Sequence, residues 1–278
     1  MSDGRLMSLR EALSGFVDAT ETQSQAHIRR LHWHVAARLV IEGGFLPDEI
    51  MPRPPLRAEA VRGDSFRLTC DPQSALSGER TVLGGLKTKQ VDVVVAKDGI
   101  GPCVAVSIKG TQNAFRNLTN RMEEAIGDCT NLHITYPALV YGFLHVLRAN
   151  REGEVPHRND IALHLNSQVG EDIKRYHAAL SGLTGRLGVR NDFTRYEAVA
   201  LALAEMGETA RGQLFDRYPE AGSPLALERF FPALYQVYDM RFVFGAPALG
   251  RQTRRKEWIL DGSMQEIAAL TELVPRIG

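Results

Sequence analysis

KQVDVVVAKDGIGPCVAVSIK, residues 89–109, contains two β-branched apolar runs separated by turn residues. This pattern predicts a β-hairpin with its loop at residues 97–102. In that register Asp92 lies opposite Ser107, and Lys109 is the diagonal neighbour of Asp92 on the same face. The hairpin therefore predicts a carboxylate, a hydroxyl and an ammonium group on one face of a sheet. The other face is predicted to be core and consists of Val91, Val93, Val95, Val104, Val106 and Ile108.

The rest of the chain predicts helices on both sides of this sheet. Apolar periodicity and stop signals predict helical structure over 8–42, 110–127, 168–182, 193–208 and 225–241, and buried strands within 132–147. We expect an α/β (α+β) fold with a central mixed β-sheet flanked by helices. The single domain is predicted to have an N-terminal helical part at 1–60, a sheet with its following helix at 61–150, and a mainly helical part at 151–278.

Composition excludes several classes of protein. The chain has 278 residues, 44% hydrophobic and 24% charged, with a formal net charge of zero, so any polyanion site must be a local basic patch. The three cysteines form no CxxC pair, which argues against a disulfide framework or a zinc ribbon. The N-terminal residues do not resemble a signal peptide, and no run of about 18 apolar residues is present. A cytoplasmic protein is therefore expected.

Two adjacent glutamates follow the hairpin on the predicted helix. At about 100° per residue from Phe115, Glu123 falls about 80° away and Glu124 about 180° away. Glu123 is therefore predicted to turn toward the sheet and Glu124 toward solvent. The apolar stripe of this helix consists of Phe115, Leu118, Met122 and Ile126.

Asp92, Lys109 and Glu123 together suggest metal-dependent chemistry. Two carboxylates are suitable ligands for Mg²⁺, which keeps several waters and takes the rest of its shell from a phosphate. A lysine beside the ion can orient or help deprotonate the attacking water and stabilise charge at phosphorus. The implied reaction is metal-assisted phosphodiester hydrolysis. The alternative is that Asp92 and Lys109 form an ordinary surface pair and that Glu123 faces solvent.

VDVVV and VAVSIK resemble the D…(D/E)xK core of the PD-(D/E)XK nuclease superfamily, which includes most type II restriction endonucleases. The second acid of that motif is replaced here by Ser107. The same replacement occurs in the subgroup that cuts CCGG-containing palindromes, in which a glutamate fourteen residues past the lysine serves instead. That position is Glu123 in this chain. The resemblance covers residues 89–126.

The resemblance implies a restriction-endonuclease-like fold and a site-specific, Mg²⁺-dependent deoxyribonuclease that cleaves both strands of a palindromic double-stranded DNA. A homodimer on the DNA is expected, because a two-fold site is met most simply by a two-fold protein. A cognate DNA methyltransferase is expected in the same host, as in a restriction-modification system. The implied catalytic residues are Asp92, Lys109, Glu123 and Ser107, and the implied metal ligands are Asp92, Glu123 and Glu42.

Candidate DNA contacts come from basic residues around this motif. The subgroup reads its target with an arginine-rich cluster just past the lysine, and Arg116 is the only residue here that matches this cluster. Arg116 is predicted either to donate hydrogen bonds to a guanine or to form a salt bridge with Glu123 or Glu124. Other DNA contacts are predicted at Lys87, Lys89 and Arg121, with solvated loop lysines as the alternative for the first two.

Two other readings of the chain remain open. The same fold could serve a structure-selective repair or junction nuclease, or a catalytically silent DNA-binding protein, and Ser107 in place of an acid favours the silent form.

His32-Trp33-His34 offers two imidazoles, but residues two apart on a helix do not share a face. A metal site made by this histidine pair is therefore not expected.

Overall fold

The computed structural model describes residues 5–20, 25–63 and 65–277. The helices are α1 Leu9–Asp18, α2 Arg29–Ile41, α3 Leu118–Thr135, α4 Glu171–Ser181, α5 Leu227–Tyr238, α6 Gly250–Thr253 and α7 Gly262–Thr271. The strands are β1 Ile50–Met51, β2 Leu56–Arg62, β3 Ser65–Cys70, β4 Arg80–Leu83, β5 Thr88–Val91, β6 Val93–Lys97, β7 Gly101–Thr111, β8 Val140–Arg148, β9 Ala198–Ala204 and β10 Glu257–Leu260.

A five-stranded mixed sheet forms the centre of the protein, in the order β1-β6-β7-β8-β9. β1, β6 and β7 pair antiparallel, whereas β7, β8 and β9 run parallel. The predicted hairpin is confirmed as β6–β7, with Val93 opposite Val106 as the register required. A bulge between Val95 and Ala96 shifts the pairing only near the hairpin loop.

Helices cover both faces of the central sheet. Val93, Val106 and Ile108 pack in one core cluster with α1, α2 and α5. Val94 and Ala105, on the opposite face, pack in a second cluster with α3 and α4. The predicted mixed sheet flanked by helices is therefore confirmed. Sheets buried on both faces carry continuous apolar strands, and β8 and β9 are examples.

Val91 is the exception to the predicted one-sided core. It lies in the cluster beneath α3, whereas Val93 and Val95 lie beneath α1 and α2. The cause is a break in the strand at Asp92. β5 leaves the central sheet there and pairs with β4 as a separate two-stranded ribbon.

The ribbon β4–β5 is held against α3 at its turn. The side-chain carbonyl of Asn131 accepts from the backbone N–H groups of Leu86 and Lys87, at 2.8 and 3.0 Å, and its amide donates to the Lys87 carbonyl at 2.9 Å. The turn packs so closely that a Cβ on Gly84 would lie 2.2 Å from the Asn131 side chain. These contacts fix the strand that leads into Asp92.

Several predicted element bounds are wrong. The segment predicted to be helical over 193–208 contains β9, because this alanine-rich stretch pairs with β8 and is buried along its whole length. The part at 151–278 thus contributes an edge strand to the central sheet, and β10 pairs with β3. The helix predicted over 110–127 begins only at Leu118 and continues to Thr135, since β7 extends through Thr111.

The segment predicted to be helical over 8–42 forms two helices, α1 and α2. Residues 21–24 of that range, and residues 1–4 of the predicted part at 1–60, lie outside the described residues. None of the helices in the described ranges combines the length and the apolar character needed to cross a lipid bilayer.

A buried charge network surrounds Glu197, the residue before β9. The fully buried carboxylate of Glu197 accepts from Arg186 at 2.6 Å and from the Tyr141 backbone N–H at 2.7 Å. Arg241 lies 2.7 Å from the same carboxylate. Because each charge has a partner, the network can remain ionised in the interior.

Candidate active site

Asp92 lies where β5 separates from β6, and its carboxylate is buried. One carboxylate oxygen accepts from the Ser107 hydroxyl at 3.2 Å and from the Ile108 backbone N–H at 2.6 Å. The predicted juxtaposition of Asp92 and Ser107 is therefore confirmed. Ser107 is itself 2% exposed, so its hydroxyl orients Asp92 rather than facing solvent.

Burial raises the pKa of Asp92, and this effect exceeds the lowering effects of the Ile108 N–H group and the Lys109 charge. A carboxylate that is costly to ionise gains from a cation placed beside it. The electrostatics of Asp92 are thus suited to a metal ligand.

Lys109 lies two residues after Ser107 on the same face of β7 and reaches α3. Its ammonium donates to Glu124 at 3.0 Å, and its side chain remains 26% exposed. Burial acts to lower the pKa of Lys109, but the hydrogen bond and charge of Glu124, with the charges of Asp92 and Asp128, raise it above its usual value. Lys109 is therefore a cation at neutral pH, held between the strand and the helix.

The expected orientation of the two glutamates is wrong: Glu124, not Glu123, meets Lys109. The buried face of α3 is centred near Ala125, Cys129 and Leu132. At about 100° per residue around the helix axis, Glu123 lies about 160° from Ala125, on the opposite side of the helix. Glu124 lies about 100° from Ala125, on the same side as Asp128. Glu123 is exposed on the solvent side.

The physical reason for this error is the start of the helix. Phe115, the origin of the helical projection, belongs to a single 3₁₀ turn at Phe115–Asn117 that precedes α3. Ala114 before it has a left-handed backbone, φ 55°. A 3₁₀ turn advances by three residues per turn, so the phase projected from Phe115 does not continue into α3.

Lys89 and Lys87 lie on β5 and its turn, before Asp92. Lys89 forms an ion pair with Asp128, a buried residue of α3 one turn beyond Glu124. Lys87 is exposed beside the turn that Asn131 holds. The lysine predicted at 89 is thus committed to a carboxylate, whereas the one at 87 is open to solvent.

Two residues that the sequence did not assign to the site lie next to Asp92. His32 from α2 places its Nε2 3.7 Å from the Asp92 carboxylate, and ligand atoms of His32, Glu79 and Asp92 all lie within 4.8 Å of one another. Glu79 precedes β4, and Arg80 pairs with Val91. Continuing that register by one position places Glu79 opposite Asp92, a signal that required recognition of the β4–β5 ribbon.

His32 is buried, and burial lowers its pKa to about 4 against the raising effect of the Glu79 charge. The imidazole is therefore neutral at pH 7. His34 points elsewhere on α2, where its Nδ1 lies 3.0 Å from the Met7 carbonyl oxygen. The two histidines do not share a face, as expected, yet one of them reaches the site from α2.

A cleft of about 280 Å³ opens beside these residues. Arg29 and Gln90, both exposed, line it together with His32 and Glu79. The site thus has an open side with a cationic residue at its edge. Such a cleft offers room for a small anionic group rather than for a large apolar ligand.

Glu42 does not belong to this cluster, so the structure does not bring this predicted metal ligand to Asp92. It accepts from Arg38 at 2.6 Å and from the Val274 backbone N–H at 3.3 Å. It follows α2 ten residues after His32, about 15 Å farther along the helix axis. These contacts make Glu42 part of the packing between α2 and the C-terminal residues.

Arg116 and Arg121 lie on the α3 side of the site. Arg116 is exposed on the 3₁₀ turn before the helix, and Arg121 is partly buried near Tyr176 of α4. Arg116 is thus open to a ligand, whereas Arg121 sits in the interface between α3 and α4.

Comparison with known proteins gives no assignment for the chain. No protein-family model, no curated protein and no solved structure matches it. The arrangement of Asp92, Lys109 and their neighbours is therefore the basis for a functional proposal.

Proposed function

We propose that this protein is a type II restriction endonuclease, a site-specific deoxyribonuclease that hydrolyses both strands of a palindromic double-stranded DNA with a divalent cation. The observation that carries the proposal is the meeting of buried Asp92 with the strand that bears Ser107 and Lys109, beside a helix carboxylate. A restriction-endonuclease-like fold is proposed with it. The antiparallel β6–β7 hairpin, the α3 crossover and the parallel β8 support that assignment.

Asp92 and the groups beside it fit a divalent cation, because a buried carboxylate of raised pKa lies close to a neutral imidazole and a second carboxylate. When bound, such a cation would polarise the phosphate and lower the pKa of a water that attacks phosphorus. Mg²⁺ is the sequence-based expectation for this ion.

Lys109 is assigned the role of a cationic donor. Its raised pKa keeps it protonated at neutral pH, so it orients the attacking water and stabilises negative charge on the phosphate rather than removing a proton. Glu124 is a positioning residue that holds the ammonium by one hydrogen bond. This assignment replaces Glu123 with Glu124.

DNA recognition is proposed to involve the exposed Arg116 and Lys87, with Arg29 at the edge of the cleft. An exposed arginine can donate two hydrogen bonds to a guanine edge. Lys89 and Arg121 are assigned instead to holding α3 against its neighbours. A homodimer on a two-fold site and a cognate methyltransferase in the host complete the proposal.

The proposal is tested by incubating the purified protein with unmethylated phage DNA and Mg²⁺, or Mn²⁺, and sequencing the ends produced. Discrete ends that share a palindrome support a restriction endonuclease. A continuous distribution of ends points to a structure-selective or nonspecific nuclease. DNA that stays intact with both ions, while still bound by the protein, favours a silent DNA-binding protein and contradicts the proposal.

A further inference from the structure

We propose that His32, Glu79 and Asp92 together bind one divalent first-row transition-metal ion, and that this site prefers Mn²⁺ to Mg²⁺. The three residues come from separate parts of the chain, namely α2, the residue before β4, and the junction of β5 with β6. Their ligand atoms lie within 4.8 Å of one another. Metal binding itself does not depend on the proposed nuclease function, although the use of the metal on phosphate does.

The spacing of the ligand atoms is close to that of a metal site. A cation about 2.0–2.2 Å from each ligand atom keeps neighbouring ligands about 3.0–3.5 Å apart. His32 Nε2 and the Asp92 carboxylate are 3.7 Å apart, which is slightly wider and too long for a normal hydrogen bond. Small rotations of the side chains would therefore complete the coordination.

His32 supplies the observation that points to a ligand. It is 4% exposed, and its Nε2 has no hydrogen-bond partner among the described residues. Buried polar atoms are rarely left unsatisfied, because a buried group that makes no hydrogen bond has lost its contact with water without compensation. A metal ion accepting the lone pair of Nε2 would satisfy this atom while also offsetting the charges of Glu79 and Asp92.

The ligand set decides the class of metal. Mg²⁺ takes oxygen ligands and gives up its waters reluctantly. A nitrogen ligand favours first-row transition ions, and Mn²⁺ is the one that also suits carboxylates and water. Mg²⁺ was expected from the sequence because the predicted ligands were carboxylates without an imidazole. The presence of His32 therefore changes the expected ion.

The surroundings leave room for a substrate on the metal. His32 and Glu79 line the cleft of about 280 Å³, and Arg29 lies at its exposed edge. Three protein ligands leave further positions on the ion for water and for a phosphate oxygen. Arg29 can then contact the same anionic group, which links this site to phosphodiester chemistry if the proposed function holds.

The test compares metal binding in the intact protein and in three variants, without DNA. Calorimetric titration with Mn²⁺ and with Mg²⁺ is combined with pulsed EPR of the Mn²⁺-loaded protein, which detects coupling to a ligand ¹⁴N. His32→Gln and Glu79→Gln remove ligands. His34→Gln changes an equally buried histidine of the same helix that faces Met7 instead.

The expected result is Mn²⁺ bound about tenfold more tightly than Mg²⁺. His32→Gln is expected to remove the ¹⁴N coupling. His32→Gln and Glu79→Gln are each expected to weaken Mn²⁺ binding by at least about tenfold. His34→Gln should retain both the ¹⁴N coupling and the Mn²⁺ affinity of the unchanged protein. Glu79 is partly exposed at the end of the ribbon, so its variant reports on binding even if His32→Gln fails to fold.

The metal proposal is overturned if Mn²⁺ shows no ¹⁴N coupling, or if Glu79→Gln binds Mn²⁺ like the unchanged protein. This outcome is separate from failure of the nuclease proposal. A protein that binds Mn²⁺ through His32 but leaves phage DNA intact retains the metal site and loses the assigned activity. A protein that cleaves DNA with equal Mn²⁺ binding in all three variants retains the activity and loses this site.

Discussion

The adjacent residues Glu123 and Glu124 provide a matched pair for testing how Lys109 is positioned. Only Glu124 contacts the Lys109 ammonium, at 3.0 Å, whereas Glu123 faces solvent from α3. Glu124→Gln and Glu123→Gln remove the same charge from neighbouring positions. A difference between them therefore reports on contact geometry rather than on the net charge of the helix.

The expected change in the free energy of unfolding follows from how exposed the Lys109–Glu124 pair is. Two unit charges 3.0 Å apart attract by about 1.4 kcal/mol at the dielectric constant of water. Glu124 is 46% exposed, so desolvation and side-chain ordering offset most of this attraction. We expect Glu124→Gln to reduce the free energy of unfolding by about 0.5 kcal/mol, and Glu123→Gln to leave it unchanged.

The effect on catalysis is expected to be much larger than the effect on stability. Misplacement of a reacting group by about 1 Å can slow a reaction about 100-fold, and Glu124→Gln frees the Lys109 ammonium to move. Because Glu124 raises the pKa of Lys109, its removal should also shift the alkaline loss of activity to lower pH. Glu123→Gln should keep the rate and the pH profile of the unchanged protein.

The assay is single-turnover cleavage of the DNA identified by end sequencing, from about pH 6 to pH 10, together with urea unfolding of each variant. A severe loss in Glu123→Gln with little change in Glu124→Gln would refute the assignment. It would restore the glutamate fourteen residues past the lysine that the resemblance implied. Equal effects of the two substitutions would show that neither carboxylate acts through Lys109.

Three further predictions concern recognition and stability. Arg116→Ala should lose discrimination at one base pair by about 1–3 kcal/mol, measured by cleavage of single-substituted sites, and a uniform loss of affinity would instead indicate a phosphate contact. Burial lowers the pKa of His145 to about 3, so only the unfolded chain takes up its proton below about pH 6.5. His145 should cost about 2 kcal/mol of stability between pH 8 and pH 5, and His145→Asn should lack this part of the pH dependence in urea unfolding. Glu197→Gln leaves two buried arginines without their carboxylate and should destabilise the protein by about 3 kcal/mol in the same measurement, whereas a loss below 1 kcal/mol would contradict the buried network.

The hairpin was predictable because its information is local. Two β-branched runs around a loop of turn residues set the register, and the register alone placed Asp92 beside Ser107. The phase of α3 was not predictable in this way. The left-handed Ala114 and the 3₁₀ turn after it depend on contacts from elsewhere, such as the Ala114 N–H donated to Asp160 at 2.7 Å.

Long-range contacts account for the other failures. β9 is rich in alanine, which favours helix, but pairing with β8 and burial on both faces decide its conformation. His32 joins Asp92 from α2, and spacing along the chain carries no sign of that meeting. Glu79 was accessible in principle, because extending the β4–β5 register places it opposite Asp92.

The role of Asp92 as the carboxylate that holds the cation is tested by the Asp92→Asn variant, which keeps the size of the side chain and removes its charge. Asp98→Asn, on the exposed loop of the same hairpin, is the matched control. DNA binding is measured in Ca²⁺ and cleavage in Mg²⁺ and Mn²⁺. We expect Asp92→Asn to bind DNA like the unchanged protein and to cleave it at least about 1,000-fold more slowly, while Asp98→Asn cleaves normally. Cleavage by Asp92→Asn at the rate of the control would show that Asp92 does not take part in the reaction.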